Sequence, residues 1–301
     1  MTAIGEIAAL LTSVCFTTTS TFFSLAGRRV GPLIVNRMRL VIALALVSVT
    51  HALLFGSFLP MEATAFNWFW LGLSGIIGFV LGDIFLFKAF VDIGPRLSML
   101  VMSLVPVIGV ILAWLTLGEI PTGTEGVGIF LTVAGVFWVI LAQDNRPVEA
   151  ASRRFYAVGL LAALGGAFGQ ALGLLFSKIG LAGDFSALSG NLIRLIAASS
   201  VLWLATAVLR QVRPTIGQFA RNRKARSYIT LGAFTGPFLG VSFSLVAVQN
   251  TSIGVASALM ALPPVLLLPV GYYVFGERFG WQAVAGTIVA VAGVIILFIR
   301  I

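Results

Sequence analysis

Charge is what this sequence has least of. Only 10% of its 301 residues are Asp, Glu, Lys or Arg, against roughly 25% in a soluble domain. An ordinary water-facing surface is thereby excluded. Histidine and cysteine each occur once, as His51 and Cys15. A metal centre built from a His/Cys cluster is excluded, and so is a disulfide within the chain. Cys15 lies mid-span and reads as packing. His51 lies near a helix end and reads as interfacial. Catalytic signatures are missing as well. There is no G-x-S-x-G, no Walker A loop and no H-E-x-x-H, so neither an ATP motor nor a known hydrolase motif is written here. No cofactor is expected, and no enzyme.

What the sequence has is apolar length, with 59% hydrophobic residues. Runs of about 20 uncharged residues are long enough to cross a bilayer. Ten such spans are expected, at 4–26, 33–55, 67–91, 95–117, 124–142, 155–179, 186–209, 227–249, 253–275 and 281–299. They must be helices, because lipid offers backbone amides no partners and no barrel-like alternation is present. Ile4 to Leu25 lacks a basic leader and a small-residue cleavage site, so it reads as a retained helix rather than a signal peptide.

The net charge of +9 does not point to nucleic acid, because the basic residues are confined to short loops. Arg28 and Arg29 lie in the 1–2 loop, and Arg96 lies in the 3–4 loop with Lys88 close by. Arg146, Arg153 and Arg154 lie in the 5–6 loop, and Arg278 in the 9–10 loop. The 7–8 loop holds Arg213, Arg221, Arg223 and Lys224, flanked by Arg210 and Arg226. The alternate loops are nearly bare. The positive-inside rule makes the odd-numbered loops cytoplasmic and turns both termini outward.

The chain also repeats itself. Pro106, Gly118, Glu119, Gly128 and Gly135 recur as Pro264, Gly276, Glu277, Gly286 and Gly293, a constant shift of 158 (264 − 106 and 293 − 135). Ala3-Ile4-Gly5 matches Ala157-Val158-Gly159, and Asn36 with Arg39 matches Asn191 with Arg194. The halves are 1–144 and 153–301, joined by a linker at 145–152. Five spans per half is an odd number, so the second copy must cross the membrane in the opposite sense. Inverted repeats of this kind build a two-sided cavity in many secondary transporters.

Polar groups deep in a bilayer are costly and are functional candidates by default. Span 1 carries a run of hydroxyls from Thr17 to Thr21, which either face a cavity or bond to carbonyls of their own helix. Span 3 carries Asp83. Pairing with Lys88 or a nearby Arg competes there with binding of substrate or a proton, and the five-residue spacing to Lys88 is poor for an intrahelical bridge. Gln170 lies mid-span in span 6, and Ser242 and Ser244 lie in span 8. Arg39 and Arg194 read as anchors for helix ends or loops, with substrate contact as the alternative. Pro106 and Pro264 sit mid-span in equivalent helices, where a kink serves as a shape feature or a hinge. Glu119 and Glu277 follow glycine at helix ends and suit capping or turn roles. The glycines of spans 3, 5, 6 and 10 fit close helix packing better than a phosphate loop.

These features resemble the drug/metabolite transporter superfamily, specifically its EamA-type exporters. The resemblance rests on the ten spans, the two halves and the Pro…Gly-Glu…Gly…Gly unit, and covers essentially the whole chain. Its sharpest markers are Leu117-Gly118-Glu119 and Phe275-Gly276-Glu277. It implies an all-α integral membrane fold of ten transmembrane helices in two inverted five-helix repeats around a central cavity, lined mainly by spans 1, 3, 4, 6, 8 and 9. On that basis Thr17, Ser20, Phe79, Asp83, Met99, Ser103, Gln170, Phe243 and Met260 are lining candidates. It further implies a monomeric secondary transporter of the bacterial inner membrane, surrounded by lipid and moving a small molecule. Amino acids, above all aromatic or hydrophobic ones, are the leading expected cargo, exported by alternating access. Efflux of amphipathic or cationic drugs with Asp83 as charge partner is the alternative, as is passive facilitation. No reactive pair at one depth supports an intramembrane enzyme.

Overall fold

The computed structural model describes residues 3–117, 123–144, 150–181, 185–250 and 259–297. Every regular element among them is helical. The first half holds α1 (Ala3–Val30), α2 (Pro32–Phe55), α3 (Ala65–Gly75), α4 (Asp83–Asp92), α5 (Pro95–Met102), α6 (Val105–Leu117) and α7 (Gly123–Asp144). The second holds α8 (Ala150–Gly180), α9 (Ala187–Val208), α10 (Val212–Arg221), α11 (Arg223–Ala233), α12 (Val241–Asn250), α13 (Pro263–Phe275) and α14 (Trp281–Leu297). Among the described residues seven helical runs are long and apolar enough to cross a bilayer, and two shorter apolar helices follow, at Pro263–Phe275 and Trp281–Ile296. Large side chains such as Phe69, Leu115, Phe130, Leu204 and Trp281 stand exposed, as they must where lipid is the solvent. This is an all-α, multi-pass membrane protein.

Two wide turns interrupt the third and eighth spans. Ile76–Gly82 joins α3 to α4 with π-type hydrogen bonding, and Phe234–Gly240 joins α11 to α12 in the same way. Both segments obey the 158 shift (234 − 76 and 240 − 82). The composition offers no sign of them, but Gly78 and Gly82 recurring as Gly236 and Gly240 are the trace they leave in the sequence.

Span 4 is broken rather than bent. It stops at Met102, turns at Ser103 and Leu104, and restarts at Val105. The equivalent break falls at Ala261 and Leu262, before α13. Pro106 and Pro264 are therefore the second residues of new helices, where a missing N–H costs nothing. The first part of span 9, the Gly118-Glu119 segment and residues 145–149 of the linker lie outside the described residues.

Glycine governs how the helices meet. A Cβ on Gly135 would lie 2.4 Å from the Ala290 nitrogen, and one on Gly293 would lie 2.4 Å from the Thr132 nitrogen. Spans 5 and 10 thus touch backbone to backbone along Gly135, Gly286 and Gly293. Spans 3 and 6 meet likewise: a Cβ on Gly169 would lie 2.8 Å from the Gly82 Cα. Without a hydrophobic force between helices in lipid, such close approach supplies the dispersion contacts that hold them together.

Contacts among the described residues join the 1–2, 3–4 and 9–10 loop regions. Arg96 at the start of α5 pairs with Glu277 after α13, 3.3 Å apart. Arg28 lies over the Phe275 ring at 4.9 Å. Glu277 therefore does more than cap, although its N–H also closes α13 on the Gly271 carbonyl. The expected 7–8 loop contains a helix, α10, pinned when Arg37 donates to Thr215 and Gln211 at 2.8 Å each. Its basic residues obscured an apolar face that buries Thr215 and packs Phe219 on the α1–α2–α4 core.

Candidate functional site

At the midpoint of the third span, the wide turn changes which carbonyls are free. The N–H of Asp83 bonds to Gly78 and Val80 and so skips the carbonyl of Phe79, its ordinary partner four residues back. Span 2 meets that carbonyl. Asn36 Nδ2 donates to it at 3.1 Å, and Arg39 Nη2 at 3.5 Å. Arg39 Nε also donates to Asn36 Oδ1 at 3.0 Å. The wide turn therefore anchors α2 to span 3 and aims the Arg39 guanidinium at Asp83.

Arg39 and Asp83 form an ion pair with both side chains 6% exposed. Span 6 completes the arrangement. Gln170 Nε2 donates to Asp83 Oδ1 at 2.6 Å and to the Gly78 carbonyl at 3.3 Å. Gln170 can reach because Gly78, Gly82, Gly169 and Gly173 let the two helices close on one another. Rings surround the cation: Arg39 Cζ lies 4.9 Å from the Phe87 centroid, 5.7 Å from Phe79 and 5.9 Å from Phe23. Burial of a charge is tolerable only with pairing and hydrogen bonds of this kind. Lys88 is not the partner of Asp83. It bonds to Asp92 at 2.7 Å, four residues along its own helix.

Arg194 of α9 also lies against this ring, with its Cζ 4.3 Å from the Phe79 centroid. The cluster thus contains two guanidiniums and one carboxylate, a formal charge of +1 (2 − 1).

The structure groups Phe79, Asp83 and Gln170 here, together with Asn36, Arg39 and Arg194. The other lining candidates lie elsewhere. Thr17 and Ser20 are buried on α1 and donate to carbonyls of their own helix, Ser13 at 2.7 Å and Thr17 at 2.9 Å. Ser103 likewise donates to Leu100 at 2.5 Å, at the break in span 4. Met99 packs on the core of Phe23, Phe87 and Phe90. Met260 packs with Leu259 beside Ala8, Ala9 and Ala247. Phe243 is partly buried on α12. His51 is buried as a tie between turns, bonded to the Ser57 carbonyl at 2.6 Å and the Ser189 hydroxyl at 3.0 Å. Among the described residues no group of three metal-binding side chains occurs.

The two halves differ at this place. Spans 1 and 6 are related by a shift of 154 (157 − 3), which puts Phe16 opposite Gln170 (170 − 154). Phe16 packs on Gly240 in span 8, as Gln170 packs on Gly82 in span 3. The polar pair Gln170–Asp83 thus corresponds to the apolar pair Phe16–Val241.

The model of the EamA-like transporter family matches twice, over residues 3–141 and 157–299. The chain belongs to the EamA-like transporter family. A solved structure described only as "Crystal structure of protein" aligns over 97% of each chain, with a TM-score of 0.64 and 16% identity. At that identity the likeness is one of fold. No curated protein matches in sequence. Family membership makes this EamA-like chain a membrane transporter, and the two matches cover both halves of its repeat.

Proposed function

We propose that this EamA-like transporter exports amino acids with aromatic or hydrophobic side chains across a bacterial inner membrane by alternating access. The observation that carries the reading is the pairing of Asp83. A transporter of cationic drugs needs an available acid in its pathway, and this one is neutralised by Arg39 and held by Gln170. The cluster keeps an excess of positive charge beside Phe79, which suits a molecule with one acidic group and an apolar body. The finer resemblance, to the bacterial aromatic amino-acid exporter YddG, agrees with it. Export by rocking of the halves is supported by the paired helix breaks at Ser103–Leu104 and Ala261–Leu262, since discontinuous helices are the bendable elements of many transporters. In this reading the basic loops, with Arg96–Glu277 and α10, face the cytoplasm. The chain works as a monomer, with halves 1–144 and 153–301 moving about the linker at 145–152, and Pro106 and Pro264 starting the half-helices that hinge. Thr17, Ser20, Met99, Ser103, Phe243 and Met260 line other stretches of the path, away from the Phe79–Asp83–Gln170 cluster.

The test is uptake into proteoliposomes of purified protein. Phenylalanine and leucine are expected to enter saturably, at rates well above protein-free vesicles, and a quaternary ammonium cation is not. Uptake of the cation without the amino acids overturns the proposal and restores the drug-efflux alternative.

A further inference from the structure

The second copy of the Asn–Arg pair is unfinished. In the first half, Arg39 Nε bonds to Asn36 Oδ1, and the guanidinium goes on to Asp83. The equivalent atoms in the second half, Arg194 Nε and Asn191 Oδ1, are both buried, and neither has a hydrogen-bond partner. Asn191 is 6% exposed. The residue equivalent to Asp83 is Val241 (83 + 158), so the carboxylate that would complete the copy is missing. Neither a hydrogen bond nor an ion pair joins Arg194 to a described residue. Its contact is the face of Phe79, which attracts the charge but is a poor acceptor for five N–H donors.

The surroundings of Arg194 are close-packed and polar at this point. A Cβ on Gly78 would stand 3.6 Å from Arg194 Nη2 and 3.6 Å from Gln170 Oε1. The bare side of Gly78 is thus flanked by a guanidinium donor edge and an amide oxygen, with the Gly173 Cα 3.8 Å from the same point. Phe79 is the central residue of its span, with 14 residues before it from Ala65 and 13 after it to Asp92, so the place lies near mid-membrane. An arginine kept there without a counter-charge is expensive. A visiting anion would remove that expense only while bound.

We infer that Arg194 is the anchor for a substrate carboxylate, with Asn191 Oδ1 accepting from the substrate's ammonium and Phe79 packing on its apolar body. The substrate supplies the acid that Val241 does not. This deepens the amino-acid reading and rests on it for the ammonium, but the carboxylate anchor stands separately. The Arg39–Asp83–Gln170 triad is the fixed template, and Arg194–Asn191 is its open counterpart.

The experiment compares three probes in proteoliposomes: phenylalanine, 3-phenylpropionate, which lacks the ammonium, and phenethylamine, which lacks the carboxylate. With the wild-type protein, phenylpropionate should compete for phenylalanine uptake and phenethylamine should not. Arg194→Gln should raise KM for both carboxylates at least tenfold with a smaller change in kcat, and Arg194→Lys should recover part of the loss. An unchanged KM in Arg194→Gln, with phenylalanine still transported, overturns the anchor and leaves the amino-acid reading intact. Transport of phenylpropionate but not phenylalanine, lost in Arg194→Gln, overturns the amino-acid reading and keeps the anchor. If Arg194→Gln does not fold, thermal stabilisation of the wild type decides: stabilisation by the two carboxylates and not by the amine supports the anchor, and stabilisation by the amine alone overturns it.

Discussion

Arg39→Met is expected to cost the protein about 3–5 kcal/mol of stability, because it leaves Asp83 as a buried charge without its partner. The carboxylate would keep only the Gln170 amide as a hydrogen-bond donor, and the Phe79 carbonyl would lose one of its two side-chain donors. Asp83→Asn should be destabilising for the converse reason. It leaves Arg39 unpaired and raises the cluster from a formal +1 to +2, with Arg194 alongside. The double variant Arg39→Met/Asp83→Asn should recover most of what Arg39→Met alone loses, since neither partner's charge is then stranded. Denaturant unfolding of the four proteins in one detergent measures this as a double-mutant cycle. Additive losses in the double variant would mean that the two side chains do not act as a pair. The cycle also separates scaffold from chemistry. If Asp83 serves the framework, a folded double variant should retain measurable transport.

The second large effect is expected between spans 5 and 10. Gly135→Leu places atoms where the Ala290 nitrogen and the Gly286 carbonyl already stand, 2.4 and 2.7 Å from the first added carbon. Backbone cannot swing aside as a side chain can, so the two helices must separate over the Gly135–Gly286–Gly293 contact. The loss should exceed the roughly 1–3 kcal/mol of ordinary overpacking. Gly126 on the same helix is the control. A Cβ there meets nothing within 4 Å, and Gly126→Ala should stabilise by up to ~1 kcal/mol through helix propensity. Equal effects of the two substitutions would contradict the packing role.

What the sequence revealed followed from period and punctuation. Apolar length defined the spans, and the Gly-Glu turns betrayed the 158-residue repeat. The glycine pairs read as packing contacts are packing contacts. Asp83 stood out because an acid inside a span is rare, but its partner was hidden. Arg39 lies 44 residues away on another helix, and only the wide turn at Ile76–Gly82 brings the two together. A π-type turn has no composition of its own, so sequence periodicity passes over it. Pro106 and Pro264 marked the right places, yet the preceding helices stop four residues earlier, at 102 and 260, because proline is welcome at a helix start and the break precedes it. The matched pair of Asn36–Arg39 with Asn191–Arg194 was visible as repetition. The sequence also aligns Asp83 with Val241, but only the structure shows Arg39 bonded to Asn36 and Asp83 while Arg194 Nε and Asn191 Oδ1 have no partner.

The central claim is that a folded carrier, alternating between two faces, moves amino acids. Counterflow tests it most directly. Proteoliposomes preloaded with millimolar unlabelled phenylalanine are diluted into labelled phenylalanine at trace concentration, with no ion gradient present. A carrier that presents one site to each side in turn should show transient accumulation of label above its equilibrium level, faster than in empty vesicles. Label entering at the same rate with or without internal phenylalanine, and never overshooting, would contradict alternating access and leave a passive channel.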